Sequence, residues 1–248
     1  MIEVGDLSKS FGDKDVLKGI SATFNAGQTN LIIGASGSGK STLARCLIGL
    51  VEPDSGSILY DGRDFMKMKD KERKELRKEV GFLFQGSALF DFMNVQQNVR
   101  FPLDMLTTLS SKEKKARVAE VLERVELSGA DKLMPSELSG GMKKRVGIAR
   151  AIAPRPKYLF CDEPNSGLDP ITAIVIDKLI YEITKEYNIT TLVITHDMNS
   201  VLEIGDQIIF IHQGYKAWEG NRDEILVTDS KEVLDFVYAS EFMKKAKP

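Results

Sequence analysis

The run Gly34-Ala35-Ser36-Gly37-Ser38-Gly39-Lys40-Ser41 constrains this chain more than any other feature. It has the spacing of a phosphate-binding loop. It follows the apolar run Leu31-Ile32-Ile33 and precedes a segment, Lys40 to Leu50, in which Leu43, Ala44, Leu47 and Ile48 recur at helical intervals. A strand, a tight loop and a helix in that order place the helix's amino end, with its unpaired N–H groups and partial positive charge, where the strand stops. The glycines let the backbone curl so that successive N–H groups point inward. Lys40 supplies a mobile cation for the β and γ phosphates of a nucleotide, and Ser41 a hydroxyl for Mg²⁺. A chance Gly/Ser loop is the plain alternative, and the strand and helix flanks argue against it.

The rest of the chain supports a folded protein around that loop. Of its 248 residues 42% are apolar and 28% charged, enough for a full core. With 34 basic against 36 acidic side chains the formal net charge is −2, so there is no basic excess to drive nucleic-acid binding, and nucleic acid is not an expected partner. The cysteines, Cys46 and Cys161, are far apart and lack metal-ligand spacing; buried free thiols in a reducing, cytosolic compartment are expected. No apolar run approaches the roughly 18 residues of a membrane span. The opening Met1-Ile2-Glu3 starts an alternating strand-like segment rather than a leader peptide.

Residues 1 to 33 read as short β runs around Ile2 and Val4, Val16 and Leu17, and Leu31 to Ile33, separated by Gly12, Gly19 and Gly27. Tyr158 to Cys161, Thr191 to Ile194 and Ile208 to Ile211 are continuous apolar runs, as expected of strands buried on both faces in a mostly parallel sheet covered by helices. The fold class is α/β, and ligands in such sheets sit beyond the carboxyl ends of the strands. Asp162 and Glu163 stand at one such end, suited to a metal-bound triphosphate: one carboxylate for the metal's shell, the other to polarise a nucleophile.

Between about residues 86 and 155 the character changes to charged helix, read as a separate helical lobe. Ser110 and Glu113 have capping-box spacing ahead of a helix from about Ser111 to Val125. Phe90, Phe92 and Met93, near the start of the lobe, suit either a core or a docking groove. The charge-dense run Lys67 to Lys78 reads as a solvated face. Leu138-Ser139-Gly140-Gly141-Met142 precedes a helical segment from Lys143 to Ala153, so Ser139 can cap a helix end that forms a second anion site. Two phosphate-binding helix ends with a single phosphate loop suggest sites shared between two chains.

Taken together, Gly34 to Ser41, Gln85, Leu138 to Met142, Asp162-Glu163, Ser166-Gly167-Leu168-Asp169 and His196 stand in the order of an ATP-binding-cassette (ABC) transporter ATPase, which the chain resembles over roughly residues 1 to 225. The resemblance implies a P-loop NTPase cassette with a mostly parallel core sheet, an N-terminal antiparallel β section and the inserted helical lobe. It implies that Phe11 stacks on the adenine of ATP with Val16 along the ribose, and that Gly34 and the residues Ser36, Gly37, Ser38, Gly39, Lys40, Ser41 and Thr42 hold the phosphates. Ser41, Gln85 and Asp162 would surround Mg²⁺, Glu163 would be the general base for water, and His196 would contact the γ-phosphate. Ser139, Gly140 and Gly141 would bind the ATP of the opposite protomer of a homodimer, with Asp169 across the interface. Met142 stands where many members have Gln, and Asn165 where Thr is frequent; both are mild departures.

Within the family the chain looks most like the Mla-type ATPases of bacterial lipid transporters linked to MCE-domain proteins, on the grounds of Met142, the run Asp162 to Pro170 and a short tail, residues 226 to 248. That resemblance implies phospholipid transport from the cytoplasmic side of the inner membrane, with integral-membrane permease subunits, an MCE-domain protein and a small accessory subunit as partners. Asp229 and Glu232 have capping spacing ahead of Val233, Leu234, Val237, Tyr238 and Phe242, an amphipathic pattern suited to gripping a partner or packing on the chain's own domain. An ABC transporter for another cargo, a soluble assembly ATPase without a permease and a P-loop phosphotransferase are the alternatives, the last leaving residues 138 to 142 without a task.

Overall fold

The computed structural model describes residues 1–238. Along the chain run β1 (Ile2–Phe11), β2 (Lys14–Phe24), β3 (Thr29–Ile33), α1 (Lys40–Leu47), β4 (Ser55–Tyr60), β5 (Arg63–Asp64), α2 (Asp70–Lys78), β6 (Val80–Leu83), α3 (Val95–Leu106), α4 (Ser111–Arg124), α5 (Gly140–Ile152), β7 (Tyr158–Asp162), α6 (Pro170–Tyr187), β8 (Thr190–Ile194), α7 (Met198–Ile204), β9 (Gln207–His212), β10 (Tyr215–Gly220) and α8 (Lys231–Val237). They form two sheets. One is antiparallel with the order β2-β1-β4-β5, and the other has the order β10-β9-β3-β8-β7-β6, parallel except for β10.

The parallel sheet separates two cores, and the alternation of side chains along each central strand explains why these runs are apolar throughout. Leu31 and Ile33 of β3, Leu159 and Cys161 of β7, Val193 of β8 and Ile208 and Phe210 of β9 enter the core shared with the helical lobe. Ile32, Tyr158, Phe160, Leu192, Ile194, Ile209 and Ile211, from the same strands, point the other way and pack with α1 and the antiparallel sheet. Both cysteines are free and buried. In-register pairing of β3 with β8 and β9, and of β7 with β8, brings the carboxyl ends of these strands side by side, so the segments that follow share one edge.

Several sequence boundaries move. Gly19 does not separate strands: β2 runs through it as a bulge, with Gly19 at φ 69°, register shifts against β1, and its N–H donating to Ser8 Oγ at 3.0 Å. Helix α1 stops at Leu47 rather than Leu50, because Gly49 turns left-handed at φ 70°. The signature helix α5 starts at Gly140, with Ser139 accepting from the Met142 N–H at 3.2 Å. Ser110 and Glu113 form the expected reciprocal cap of α4. In the tail Ser230, not Asp229, caps α8. Val233 and Val237 are buried in the lobe-side core and Phe236 packs 5.3 Å from the Phe210 ring, whereas Phe242 lies outside the described residues. The run Lys67 to Lys78 is a short 3₁₀ turn followed by α2, with only Leu76 buried on that helix.

One buried amide ties the amino end of the parallel sheet. Asn30, fully buried on β3, donates to the carbonyls of Asn25, Gln28 and Thr191 at 2.9 to 3.2 Å and accepts from the Asn25 N–H at 3.0 Å. Asn30→Leu keeps the bulk and removes all four bonds; the Gln28 carbonyl retains the Thr191 N–H at 3.2 Å, while the Asn25 N–H and the Asn25 and Thr191 carbonyls lose the Asn30 amide as a partner. The expected loss is about 3 kcal/mol, or a melting temperature lower by about 6 to 12 °C. Urea unfolding checks it; a loss below about 1 kcal/mol would show that the carbonyls find other donors.

Candidate functional site

The loop between β3 and α1 is built around its own lysine. Lys40, 8% exposed, donates from Nζ to the carbonyls of Gly34 at 2.8 Å and Ala35 at 3.0 Å. Burial holds its pKa below the ordinary lysine value, while Glu163 and Asp162 pull the other way. Gly39 shows why a side chain is excluded here: it sits at φ 113°, and a Cβ would stand 2.9 Å from both Val16 O and Leu17 Cδ2. Ser38 is buried and its hydroxyl has no hydrogen-bond partner. A buried polar atom of that kind calls for a ligand or water, and in an anion-cradling loop a phosphate oxygen fits it.

Beyond the loop, a cleft of about 1000 Å³ is lined by Ser36, Gly37, Lys40, Ser41, Arg45, Gln85, Asp162, Glu163, Ser166, Thr195 and His196, with Phe236 and Val237 of α8 also on its wall. Asp162, Glu163 and His196 come from the carboxyl ends of β7 and β8. Burial, then the neighbouring Glu163, pushes the Asp162 carboxyl above the usual range, against the attraction of Arg45, Lys40 and Lys144. Among the described residues no three His, Cys, Asp or Glu side chains gather into a metal site of their own. Ser41, Gln85 and Asp162, all lining this cleft, match the sparse protein ligation that Mg²⁺ takes when substrate phosphates complete its shell.

Glu163 is the most constrained residue of the cleft. It holds φ 48°, a left-handed conformation for a non-glycine residue, and such residues persist where surrounding bonds fix them. Its N–H donates to Ile194 O at 2.9 Å and its carbonyl accepts from the Ser166 N–H at 3.1 Å. Its side-chain Oε1 lies 2.8 Å from His196 Nδ1. An ionised carboxylate only accepts, so Nδ1 carries the shared proton and the other ring nitrogen is left free. Gln85 Nε2 donates to Ser166 Oγ at 3.2 Å, which ties the loop after β6 to the same turn.

A smaller cleft of about 340 Å³ continues past the phosphate loop, lined by Phe11, Lys14, Val16, Gly37, Gly39, Lys40, Ser41 and Thr42. Phe11 is 51% exposed, with Lys9 Nζ 5.4 Å from its ring centre. The two clefts share Gly37, Lys40 and Ser41. Ser139, Gly140, Gly141 and Asp169 line neither. Ser139 and Gly140 are exposed at the start of α5, and Asp169 caps α6 by accepting from Thr172 N at 3.0 Å and Thr172 Oγ1 at 2.6 Å. His212 ends β9 with its ring stacked on Phe210. Phe90 is half-buried against Phe101, at 4.9 Å between ring centres, whereas Phe92 is 76% exposed and Met93 half-buried. Phe90 and Phe101 line an apolar groove of about 360 Å³ with Phe82, Phe84 and Leu106.

Sequence alone does not single out Arg45 and Lys144 at the cleft, and it marks Asn165 only as a mild departure from the family pattern. Arg45 lies one turn along α1, and Lys144 reads as one more charge in a lysine-arginine run. Asn165 gives both of its amide N–H groups to buried partners, Asp177 Oδ2 at 2.7 Å and Ser200 Oγ at 2.9 Å. That ties the loop after Glu163 to α6 and α7. Only a residue with two donors makes both bonds, and the 12- and 35-residue separations of the partners hide the cluster from local spacing.

A glycine-bound lysine at a helix amino end, a carboxylate pair at an adjacent strand end and a histidine paired with the second carboxylate define a P-loop nucleotide hydrolase. Comparison with known proteins narrows the class. A family model described as ABC transporter matches residues 17–166. The MlaF ATP-binding protein of an intermembrane phospholipid transport system in Haemophilus influenzae is 38% identical over 237 residues, covering 96% of this chain and 90% of that protein. The probable ribonucleotide transport ATP-binding protein mkl of Mycobacterium tuberculosis is 39% identical over 236 residues, covering 95% of this chain; the chain spans 66% of that relative's length. A dimeric cassette, MJ0796, in a post-hydrolysis state with ADP and Pi superposes with TM-score 0.80 at 30% identity, covering 90% of this chain and 99% of that one. The chain belongs to the ABC transporter ATP-binding family and is an ATPase.

The buried Asp177 gives the fold a pH signature. Burial raises its carboxyl to about 6, with Asp197 and Glu203 pushing further up and the bonds from Ser200 and Asn165 pulling down. The folded state therefore holds a proton that the unfolded chain has released, so this stability is fully present below the ordinary 3.8 and is lost as pH rises through about 6. The contribution is on the order of 3 kcal/mol. Asp177→Asn is expected to remove that fall, so the wild-type and variant stability curves from urea unfolding converge toward about pH 4 and separate toward about pH 7. Parallel curves would mean Asp177 is ionised throughout.

Proposed function

We propose that the chain is the ATP-hydrolysing subunit of a membrane transporter for phospholipid and works as a head-to-tail homodimer. The carrying observation is the 2.8 Å Glu163–His196 pair inside the Lys40 cleft, combined with a signature helix end, Ser139 to Gly141, that lies outside that cleft. Adenine stacks on Phe11 with the ribose along Val16, and the phosphates lie on Gly34 and Ser36 through Thr42. Ser41, Gln85 and Asp162 hold Mg²⁺, which when bound offsets charge on the β and γ phosphates.

Glu163 orients and deprotonates the attacking water while His196, held through Nδ1, turns its other nitrogen toward the γ-phosphate, to which it donates when that nitrogen too carries a proton. In the closed dimer Ser139, Gly140 and Gly141 of one copy complete the γ-phosphate site of the other, with Asp169 across the interface. ATP then favours closure because it touches the partner's Ser139 only in the closed state, whereas ADP lacks the group that makes that contact. Closure and reopening are the output, passed to permease helices through the groove around Phe90 and Phe101, with Phe92 exposed beside it. This reading puts the subunit on the cytoplasmic face of the inner membrane, with an MCE-domain protein and a small accessory subunit as further partners. Among the described residues no helix is long and apolar enough to cross a membrane.

Phospholipid as cargo is supported by the similarity to MlaF over nearly the whole of both chains. Glu163→Gln is expected to slow hydrolysis about 10²- to 10⁴-fold while keeping the ATP-induced rise in melting temperature; near-normal turnover would remove Glu163 as the base. The cargo is tested by purifying the complex from native membranes in mild detergent, with mass spectrometry of proteins and lipids. A permease with an MCE-domain protein and bound phospholipid is the expected result. A different permease would replace the cargo, and soluble partners alone would overturn transport.

A further inference from the structure

The loop after β6 that carries Gln85 and the turn after β7 that carries Glu163 are bridged by a side chain that belongs to neither. Lys144 sits on α5, just past the Ser139–Gly141 end, and is 4% exposed. Its Nζ donates to the backbone carbonyl of Gln85 and, at 3.3 Å, to that of Glu163. A charged group survives in an interior only when paired and hydrogen-bonded. Burial holds this ammonium below its ordinary pKa, and the charges of Glu163 and Asp162 help keep it protonated. Its partners are the backbones of the two segments on which the cleft's far wall is built.

We propose that Lys144 is a positioning residue that couples the two nucleotide sites of the dimer. The inference rests on the head-to-tail reading above. Helix α5 opens with the residues that would meet the partner's ATP, and Lys144 lies five residues from the Ser139 cap, about 7.5 Å along a rigid helix. Whatever fixes that helix end against a nucleotide also fixes Lys144 against Gln85 and Glu163 of its own site. Glu163 holds a backbone conformation that its bonds must sustain, and Lys144 is the tie that reaches it from the helical lobe. The carbonyl it grips precedes the Ser166 turn, so a shift of α5 re-aims the carboxylate that pairs with His196. Each filled site thereby biases hydrolysis at the other, with two sites, two states and a named contact between them.

The test measures ATP hydrolysis against ATP concentration for the full chain and for Lys144→Met, Lys144→Gln and Lys144→Arg, with melting temperature followed for each. Lys144→Met keeps the aliphatic stem and removes the charge and donors. Its turnover at saturating ATP is expected to fall about 10- to 100-fold, with KM within about twofold and the ATP-induced rise in melting temperature retained. The Hill coefficient is expected to drop from about 2 toward about 1. Lys144→Arg, which keeps a cation with N–H donors, is expected to recover turnover and cooperativity; a merely structural role would move melting temperature without this split. Should the Met variant not fold, Lys144→Gln, which retains donors without charge, carries the same readings. A folded Met or Gln variant with wild-type turnover and Hill coefficient overturns the proposal. Sedimentation of Glu163→Gln, with and without Lys144→Met, in ATP and Mg²⁺ separates the two readings. Dimers are expected in both. A monomeric Glu163→Gln sinks the head-to-tail reading and the coupling with it, whereas a dimer whose Lys144 variants behave as wild type sinks the coupling alone.

Discussion

The site depends on an ammonium group withdrawn from water. Lys40 is held by two carbonyls of its own loop, and neutral carbonyls alone do not compensate a buried cation. Its stabilising charges come from across the sheet, where Asp162 and Glu163 face it from the end of β7. That attraction works only if β3 and β7 end at the same level, which the parallel pairing of both with β8 enforces. The apolar strands are thus more than a core: their register sets the distance between a phosphate loop and a carboxylate pair that are over a hundred residues apart in sequence.

What the sequence made legible follows the range of the physics involved. The phosphate loop, the strand-end carboxylates and the Ser110 and Ser139 caps are local, each a few residues whose spacing dictates geometry, and the structure builds each of them. The buried parallel strands were legible because burial on two faces demands unbroken apolar runs. Boundaries that hang on one backbone angle were not: Gly19 looks like a break and is a bulge, and Asp229 has the spacing of a cap that Ser230 takes. The short strands β4, β5 and β6 went unread because four of β4's six residues are not buried, β5 is two residues long and β6 four. Long-range polar ties escaped altogether. Lys144 is one charge among Lys143 to Arg145 until the fold sets it under two carbonyls, and the partners of Asp177, Asn165 and Ser200, lie far from it in sequence.

Charge balance in the cleft explains why its groups sit where they do. Arg45, Lys40 and Lys144 all lower the Asp162 carboxyl, yet burial and Glu163 still leave it above the usual range. Two adjacent carboxylates in a partly desolvated site repel, and a divalent cation relieves that repulsion more effectively than a lysine held in place by carbonyl oxygens. The carboxylates then divide their tasks. Asp162 faces the cations of the loop, and Glu163, turned by its left-handed backbone toward β8, meets His196 instead.

The two departures from the common family pattern are each explained by what the side chain touches. Met142 supplies its backbone N–H to the Ser139 cap while its side chain packs on the lobe-side core, so the helix end is formed without the usual amide. Asn165 is the more consequential change. A threonine hydroxyl carries a single donor, whereas the Asn165 amide supplies two, and both are used on Asp177 and Ser200. One oxygen of Asn165 and one of Asp177 remain buried without a partner, both of them acceptors. A proton on Asp177 supplies a donor where the pair has acceptors to spare, in accord with its raised carboxyl. Asparagine at 165 and aspartate at 177 therefore make sense together: the two amide donors hold the turn after Glu163 to α6 and α7, and below about pH 6 the proton on Asp177 adds a donor to a pair otherwise rich in acceptors.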